Sequence, residues 1–207
     1  MRPPYDIDRA SAELAQADPR LGELIARVGP CRLTLRDMHS PFLGLLRAIV
    51  YQQLTGKAAA TIYDRLCGLF EGGEPEPRAL LALPLERLRA VGLSGAKAAA
   101  AYDLAEKTLA GVVPPREALT RMADEEIIER LVQVRGIGRW TVEMLLIFNL
   151  GRADVLPVGD LGVRRGVMRI YRLAAMPTPT EVRRYGEPWA PYRSVASWYL
   201  WRAAEQA

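Results

Sequence analysis

The chain has 207 residues, half of them apolar, which is enough for one large globular domain or two small lobes. No run approaches the roughly 18 to 20 uninterrupted apolar residues of a membrane helix, and the N-terminus lacks a secretory signal, so we expect a soluble cytoplasmic protein with no membrane partner. The formal net charge of +4 is modest, and the two widely separated cysteines, Cys31 and Cys67, argue against a disulfide framework and against a zinc or iron–sulfur site.

The spacing of apolar residues predicts an all-α fold with at most a small strand element near the N-terminus. Two helices are expected within 7–28, broken near Pro19, and a strand-like run follows over 31–36. The remaining predicted helices cover 42–54, 57–70, 78–82, 85–90, 96–110, 116–122, 124–133, 139–150, 161–173, 178–186 and 192–205.

The most informative segment is the turn Gly136-Ile137-Gly138, where one predicted helix ends and the next begins at once. Glycine at 136 and 138 permits a positive φ and lets the backbone approach a partner without a Cβ in the way. Its outward amides and the positive end of the following helix suit one DNA phosphate. A Gly-x-Gly turn alone is also common between ordinary helices.

Basic residues concentrate around and beyond this turn. The segment from Arg135 to Arg172 contains seven arginines and only three acidic residues. The arginine side chain binds phosphates and bases with a planar, bidentate fork, so a local basic surface favours a nucleic-acid partner. Charge alone leaves an ordinary solvated helical surface equally open.

Asp160 follows a loop that contains Pro157 and Gly159, and it directly precedes a predicted helix. Aspartate is a favoured N-cap, which is a purely structural role. The same place beside the positive end of a helix suits a carboxylate that stabilises a cationic sugar. The residues alone leave both roles open.

The order of helix, Gly-Ile-Gly hairpin, helix, Gly/Pro loop and Asp160 resembles the helix–hairpin–helix Gly/Pro–Asp superfamily of base-excision DNA glycosylases. Within it, Arg139-Trp140-Thr141 resembles the branch of the bacterial 3-methyladenine DNA glycosylases II. The likeness implies a compact, bilobal helical bundle without the full β-rich N-terminal domain of larger members. Its implied lobes are a central one of 42–110 plus 111–158, with the hairpin segment 131–150, and a second one of 1–41 plus 159–207.

The resemblance implies a monofunctional DNA glycosylase that hydrolyses the N-glycosidic bond of an alkylated base flipped from duplex DNA, with Asp160 as the catalytic carboxylate. Related enzymes that also cleave the strand carry a lysine immediately after the hairpin arginine, where this chain has Trp140. Because indole has no amine to form a Schiff base, no lyase activity is expected. The implied partner is double-stranded DNA with damaged bases, bound by a monomer associated with the nucleoid in a bacterium, and catalysis needs no cofactor.

The same resemblance implies individual contacts with DNA. The damaged base is expected to contact Trp140, Trp201 and Met144, the last at a place where a relative carries an aromatic residue. The gap left by the flipped nucleotide is filled by Gln53 or, as an apolar wedge, by Leu54. The residues implied to bind phosphate are Gly136, Gly138, Arg139, Thr141 and Arg193. The backbone carbonyls implied to hold a structural Na⁺ or K⁺ are those of Val132, Val134 and Ile137.

Two other functions stay open at this point. A non-catalytic helix–hairpin–helix module would use the hairpin as a phosphate clamp, with Asp160 and the tryptophans in structural roles. An abasic-site lyase is the remoter alternative. His39, the only histidine, is expected to be a loop residue and not a catalyst.

Overall fold

The structure, a computed structural model, describes residues 1–36, 38 and 40–205, so the expectation for His39 lies outside the described residues. No strand occurs among the described residues, and the all-α fold class is confirmed. The α-helices are α1 (Ile7–Ala17), α2 (Pro19–Val28), α3 (Pro41–Tyr51), α4 (Gly56–Cys67), α5 (Pro77–Ala82), α6 (Leu85–Ala90), α7 (Gly95–Leu109), α8 (Arg116–Arg121), α9 (Asp124–Leu131), α10 (Arg139–Leu145), α11 (Leu161–Ile170), α12 (Pro179–Tyr185) and α13 (Arg193–Glu205). Short 3-10 turns occupy Glu71–Gly73 and Glu187–Trp189, and a π-helical turn, Leu146–Leu150, directly continues α10.

The chain divides into two compact units. One unit is Met38–Val142, and the other combines Met1–Asp37 with Glu143–Ala207. The lobes expected from the sequence place 143–158 with the central segment, whereas the structure groups these residues with the chain ends. The physical reason is that the backbone at Val155 and Arg152 is hydrogen-bonded to Ser194 of α13.

In the unit Met38–Val142, α7 is the central helix and contacts α3, α5 and α6. Alanines at 98 and 101 and Leu104 are fully buried on α7, and their small side chains allow close approach of the neighbouring helices. The side chain of Ser94 caps the start of α7 by accepting a hydrogen bond from the Lys97 amide. Gly111 lies just beyond the end of α7 and has φ +77, the left-handed conformation that glycine commonly adopts after a helix.

In the other unit, α11 packs closely against α13. Val163 and Val167 on α11 and Leu200 on α13 are completely buried. A Cβ added at Gly166 would lie 2.4 Å from the carbonyl oxygen of Leu200, so the two backbones meet where only glycine fits. This contact places the C-terminal helix directly along the helix that follows Asp160.

Asp18 is a buried carboxylate that joins three segments of the same unit. It is 5% exposed and caps α2 through Oδ1, which accepts the amides of Arg20 and Leu21. Its Oδ2 accepts Trp189 Nε1 at 2.7 Å and the Tyr171 hydroxyl. Burial, together with this hydrogen bond, raises the pKa of Tyr171. Each oxygen of the buried carboxylate is thus hydrogen-bonded, as a buried charge requires.

Two local predictions are wrong. The run 31–36 is not a strand, because its backbone makes isolated hydrogen bonds, Leu35 N–H to Met1 O and Arg36 N–H to Phe148 O, both 2.7 Å, instead of a ladder. The helix predicted to reach residue 54 ends at Tyr51, because the chain turns into the left-handed region at Gln53, whose φ is +56. Within the described residues, no helix combines the length and the apolar character needed to cross a bilayer.

Candidate active site

Asp160 is the N-cap of α11, as predicted. Its backbone is extended, with φ −68 and ψ 128, and its Oδ1 accepts the Val163 amide at 2.8 Å. The carboxylate therefore lies at the positive end of the helix dipole. Its side chain is partly exposed. Capping and contact with a substrate are compatible at this position.

Trp201 of α13 donates a second hydrogen bond to the same carboxylate. Its Nε1 lies 2.8 Å from Asp160 Oδ1, across 41 residues of sequence. Gly162 makes this approach possible, because a Cβ there would lie 2.7 Å from Trp201 Cδ1 and 3.1 Å from Asp160 Oδ1. The two donors, one from the backbone and one from an indole, fix the orientation of the carboxylate.

Sequence reasoning missed Phe148, which lies next to Trp201, and Arg36, which lies next to Phe148. The ring of Phe148 stacks on Trp201 with centroids 5.6 Å apart and an interplanar angle of 26°. The guanidinium carbon of Arg36 lies 5.3 Å from the Phe148 centroid, within the range of a cation–π interaction. Phe148 belongs to an apolar segment that reads as core, and Arg36 lies 112 residues earlier in the sequence, so no local signal marked either residue.

The loop that carries Asp160 is anchored to the beginning of α13. The hydroxyl of Ser194, which is completely buried, accepts the Val155 amide at 3.0 Å and donates to the Arg152 carbonyl at 2.7 Å. Arg193 makes a bidentate ion pair with Asp154, with both N–O distances 2.6 Å. This hydrogen-bonded pairing raises the pKa of Arg193. Arg193, predicted to bind phosphate, thus positions the loop in this structure.

The hairpin, defined as residues 132–138, has the exposed turn that the sequence predicts. Gly136 has φ +77, which requires glycine or strains another residue. Gly138 does not have a positive φ, so that part of the prediction is wrong, but the space around its Cα is open. The amides of Thr141 and Val142 bond to the Gly138 carbonyl, so α10 begins directly at the turn.

The three carbonyls predicted to hold a monovalent cation lie in or next to this turn. Val132 caps the end of α9, and the Val134 carbonyl accepts the Ile137 amide at 3.0 Å. A carbonyl oxygen has two lone pairs, so this bond leaves one for a cation. Oxygen donors without a charged ligand fit a weakly bound Na⁺ or K⁺.

Four residues predicted to contact DNA lie on α10: Arg139, Trp140, Thr141 and Met144. Trp140 is 51% exposed, unusual for so large an apolar side chain, and Met144 one turn later is partly buried. Arg139 forms a bidentate ion pair with Glu125, at 2.7 and 2.8 Å. Hydrogen bonds from Arg139 lower the pKa of Glu125. Because both partners are more than half exposed, a phosphate can exchange for the carboxylate at little cost.

The wedge loop, defined as residues 52–55, follows α3. Gln53 and Leu54 are both exposed, and Leu54 retains 40% of its surface. A large apolar side chain with this exposure is available for contact with a partner. The structure therefore leaves both candidate gap-filling side chains accessible.

These features define a helix–hairpin–helix protein with an aspartate beyond the hairpin, and comparison with known proteins identifies the family. Residues 46–191 match the HhH-GPD superfamily of base excision DNA repair proteins, and the chain belongs to this superfamily.

Individual relatives resemble nearly the whole chain. A protein of Schizosaccharomyces pombe named DNA-3-methyladenine glycosylase 1 is 40% identical, over 97% of this chain and 89% of its own length. The solved structure of S. pombe 3-methyladenine DNA glycosylase in complex with abasic DNA superimposes with a TM-score of 0.80 at 40% identity, over 94% of this chain and 95% of that one. The DNA-3-methyladenine glycosidase of Bacillus halodurans has a TM-score of 0.88 at 35% identity, over 100% and 94% of the two chains.

Proposed function

We propose that this protein is a monofunctional DNA glycosylase that removes alkylated bases of the 3-methyladenine type from duplex DNA in base excision repair. The observation that carries the proposal is the oriented carboxylate of Asp160, held by the Val163 amide and by Trp201 Nε1 at 2.8 Å each. Membership of the superfamily and the 40% identical relative named DNA-3-methyladenine glycosylase 1 support it.

Asp160 stabilises the positive charge that develops on the deoxyribose as the N-glycosidic bond breaks. The bonding electrons leave with the base, water adds to the sugar carbon, and the proton of that water passes to solvent. A purine alkylated on the ring carries a positive charge and departs as a neutral molecule, so little general-acid assistance is required. The products are a free base and an abasic site.

Selection of the base rests on aromatic contacts. The exposed face of Trp140 suits stacking on an electron-poor, cationic base, a contact worth about 0.5 to 2 kcal/mol. Trp201 combines an aromatic face with the hydrogen bond to Asp160. Met144, in place of an aromatic residue, offers a softer and less enclosing contact.

Duplex DNA is held by groups that carry no sequence information. The backbone amides of Gly136 and Gly138, with Thr141 at the start of α10, bind one phosphate. Arg139 binds a neighbouring phosphate after exchange from Glu125, while Arg193 supports the loop of Asp160. The carbonyls of the hairpin would hold a Na⁺ or K⁺ that adds positive charge beside the phosphate. Gln53 or Leu54 occupies the gap in the helix.

The direct test is release of base from damaged DNA. Purified protein incubated with methylated duplex DNA is expected to release 3-methyladenine, detected chromatographically, and to leave alkali-labile abasic sites. A panel of duplexes with one defined lesion each then ranks the substrates. Binding without release of any base, while a known glycosylase succeeds on the same DNA, would favour a non-catalytic DNA-binding module.

The absence of strand cleavage is tested separately. Because Trp140 stands where a Schiff-base lysine is found in related lyases, borohydride added during turnover is expected to trap no covalent protein–DNA adduct. A known bifunctional glycosylase, treated in parallel, provides the positive control. A trapped adduct on gel electrophoresis would contradict the monofunctional assignment.

A further inference from the structure

The wedge loop and the hairpin are joined by a direct hydrogen bond. Gln52 Nε2 donates to the carbonyl oxygen of Gly136 at 2.8 Å, across 84 residues of sequence. Gly136 is the left-handed residue of the hairpin turn, and Gln52 is the first residue of the wedge loop. The side chain of Gln52 therefore connects two loops that the proposed function assigns to different tasks on DNA.

The wedge loop has little support from its own backbone. The Gln52 amide bonds to Ile49 O and the Leu54 amide to Tyr51 O, both at the long distance of 3.4 Å. Gln53 meanwhile holds a left-handed conformation that is costly for a non-glycine residue and persists only where neighbouring structure imposes it. External contacts must therefore determine the position of this loop.

Lys97 of α7 supplies the strongest of these contacts. Its Nζ donates to the carbonyls of Val50 and Gln52, each at 2.7 Å. The ammonium thereby satisfies two carbonyls that α3 leaves without partners at its C-terminal end, where a positive charge is also favoured by the helix dipole. Burial lowers the pKa of Lys97.

The other end of α7 holds the hairpin. Asp103 Oδ2 accepts the Arg135 amide at 2.7 Å, and Lys107 pairs with Asp103 at 2.7 Å while also donating to the Gln133 carbonyl. Burial would raise the pKa of Asp103, but these hydrogen bonds outweigh it and lower the pKa. The helix α7 thus binds both the wedge loop and the hairpin, and Gln52 bonds these two loops directly to each other.

We propose that Gln52 and Lys97 are positioning residues that keep the wedge loop at a set distance from the hairpin, so that both loops act on the duplex as one rigid part. The inference rests on the proposed function. Extruding a nucleotide requires force on the stack while the backbone is gripped. If the wedge loop can yield relative to the hairpin, that force deforms the protein instead of the DNA. Neither residue needs to touch DNA for this role.

The test uses substitutions that remove the donor at nearly constant size. Gln52→Met and Lys97→Met are expected to lower the flipped fraction of 2-aminopurine, read by its fluorescence at the target position of a duplex, by about tenfold. Single-turnover excision at saturating enzyme should fall in parallel. The affinity for undamaged duplex, and the slope of log Kd against log salt concentration, are expected to stay unchanged, since no phosphate contact is lost.

Two companion variants separate positioning from charge. Lys57→Met removes the same charge from an exposed lysine near the wedge loop and is expected to leave the flipped fraction unchanged. Gln52→Glu places a carboxyl group opposite the Gly136 carbonyl, and only its protonated form can donate. Its flipped fraction should recover as the pH falls from 7 towards about 4.5, whereas that of Gln52→Met should not.

The proposal is overturned if Gln52→Met and Lys97→Met flip and excise like the original protein. It is equally overturned for Lys97 if the variant reduces the salt slope by about one and leaves flipping unchanged, because Lys97 would then be a phosphate contact. Fluorescence and binding do not depend on bond cleavage. A protein that flips 2-aminopurine but releases no methylated base therefore refutes the proposed function without refuting this inference.

Discussion

Asp160→Asn is expected to reduce single-turnover base excision by a factor of about 10² to 10³, because it removes the charge that we propose stabilises the cationic sugar while the shape of the side chain is kept. Asparagine retains a carbonyl oxygen that can accept the Val163 amide, so α11 keeps its N-cap. The thermal unfolding midpoint and the affinity for duplex DNA with an abasic-site analogue should change little. Excision at the original rate would exclude Asp160 as the catalytic carboxylate.

Trp201→Phe is the matched companion to this substitution. Phenylalanine can maintain the stacking on Phe148 but cannot donate to Asp160. We expect a loss of about tenfold in the excision rate constant, since one hydrogen bond to the carboxylate of Asp160 is lost while its charge remains. The concentration of enzyme that gives half-maximal rate should be affected less. A pure loss of base affinity would instead assign Trp201 only to base contact.

Asp18→Ala is expected to lower the free energy of unfolding by about 3 to 5 kcal/mol, the largest effect on stability that we predict. The substitution leaves the N-terminal amides of α2 without their cap. It also leaves Trp189 Nε1, in a completely buried side chain, and the Tyr171 hydroxyl without their acceptor. Urea denaturation followed by circular dichroism measures the change.

Asp18→Asn refines this prediction. Its carbonyl oxygen can still cap α2, but its amide nitrogen cannot accept from Trp189 or Tyr171. We therefore expect a loss smaller than that of alanine, by roughly the 1 to 2 kcal/mol of a retained cap. Equal stability of Asp18→Ala and the original protein would show that the three segments are held together by apolar packing alone.

The sequence predicts the helices well because helix formation here depends on local patterns. Asp18-Pro19 and Gly111 mark helix limits through backbone preferences that act within a few residues. The early end of α3 escaped prediction, since the residues up to 54 continue a helical pattern. The hydrogen bond that Gln52 O accepts at this end comes from Lys97, far away in sequence. The run 31–36 has no partner strand within the part of the chain that the structure describes, and a local pattern cannot reveal whether a partner exists.

In the candidate site, too, the local features were predictable from the sequence and the long-range contacts were not. The cap formed by Asp160 and the left-handed Gly136 follow from residue type and immediate neighbours, and both are observed. The hydrogen bond from Trp201 to Asp160, and the anchoring of the loop by Ser194, depend on how α13 lies against α11. Long-range packing of this kind leaves no signature in one sequence.

The double contact of Trp201 limits how this enzyme can evolve. One indole ring stacks on Phe148 and donates to Asp160, so a substitution that reshapes the aromatic surface also disturbs the carboxylate. Changes of lesion preference at this position would therefore be accompanied by a loss of rate, and selection would rarely retain them. Met144, whose thioether cannot donate a hydrogen bond to a carboxylate, is the position where we expect related enzymes to diversify their substrates.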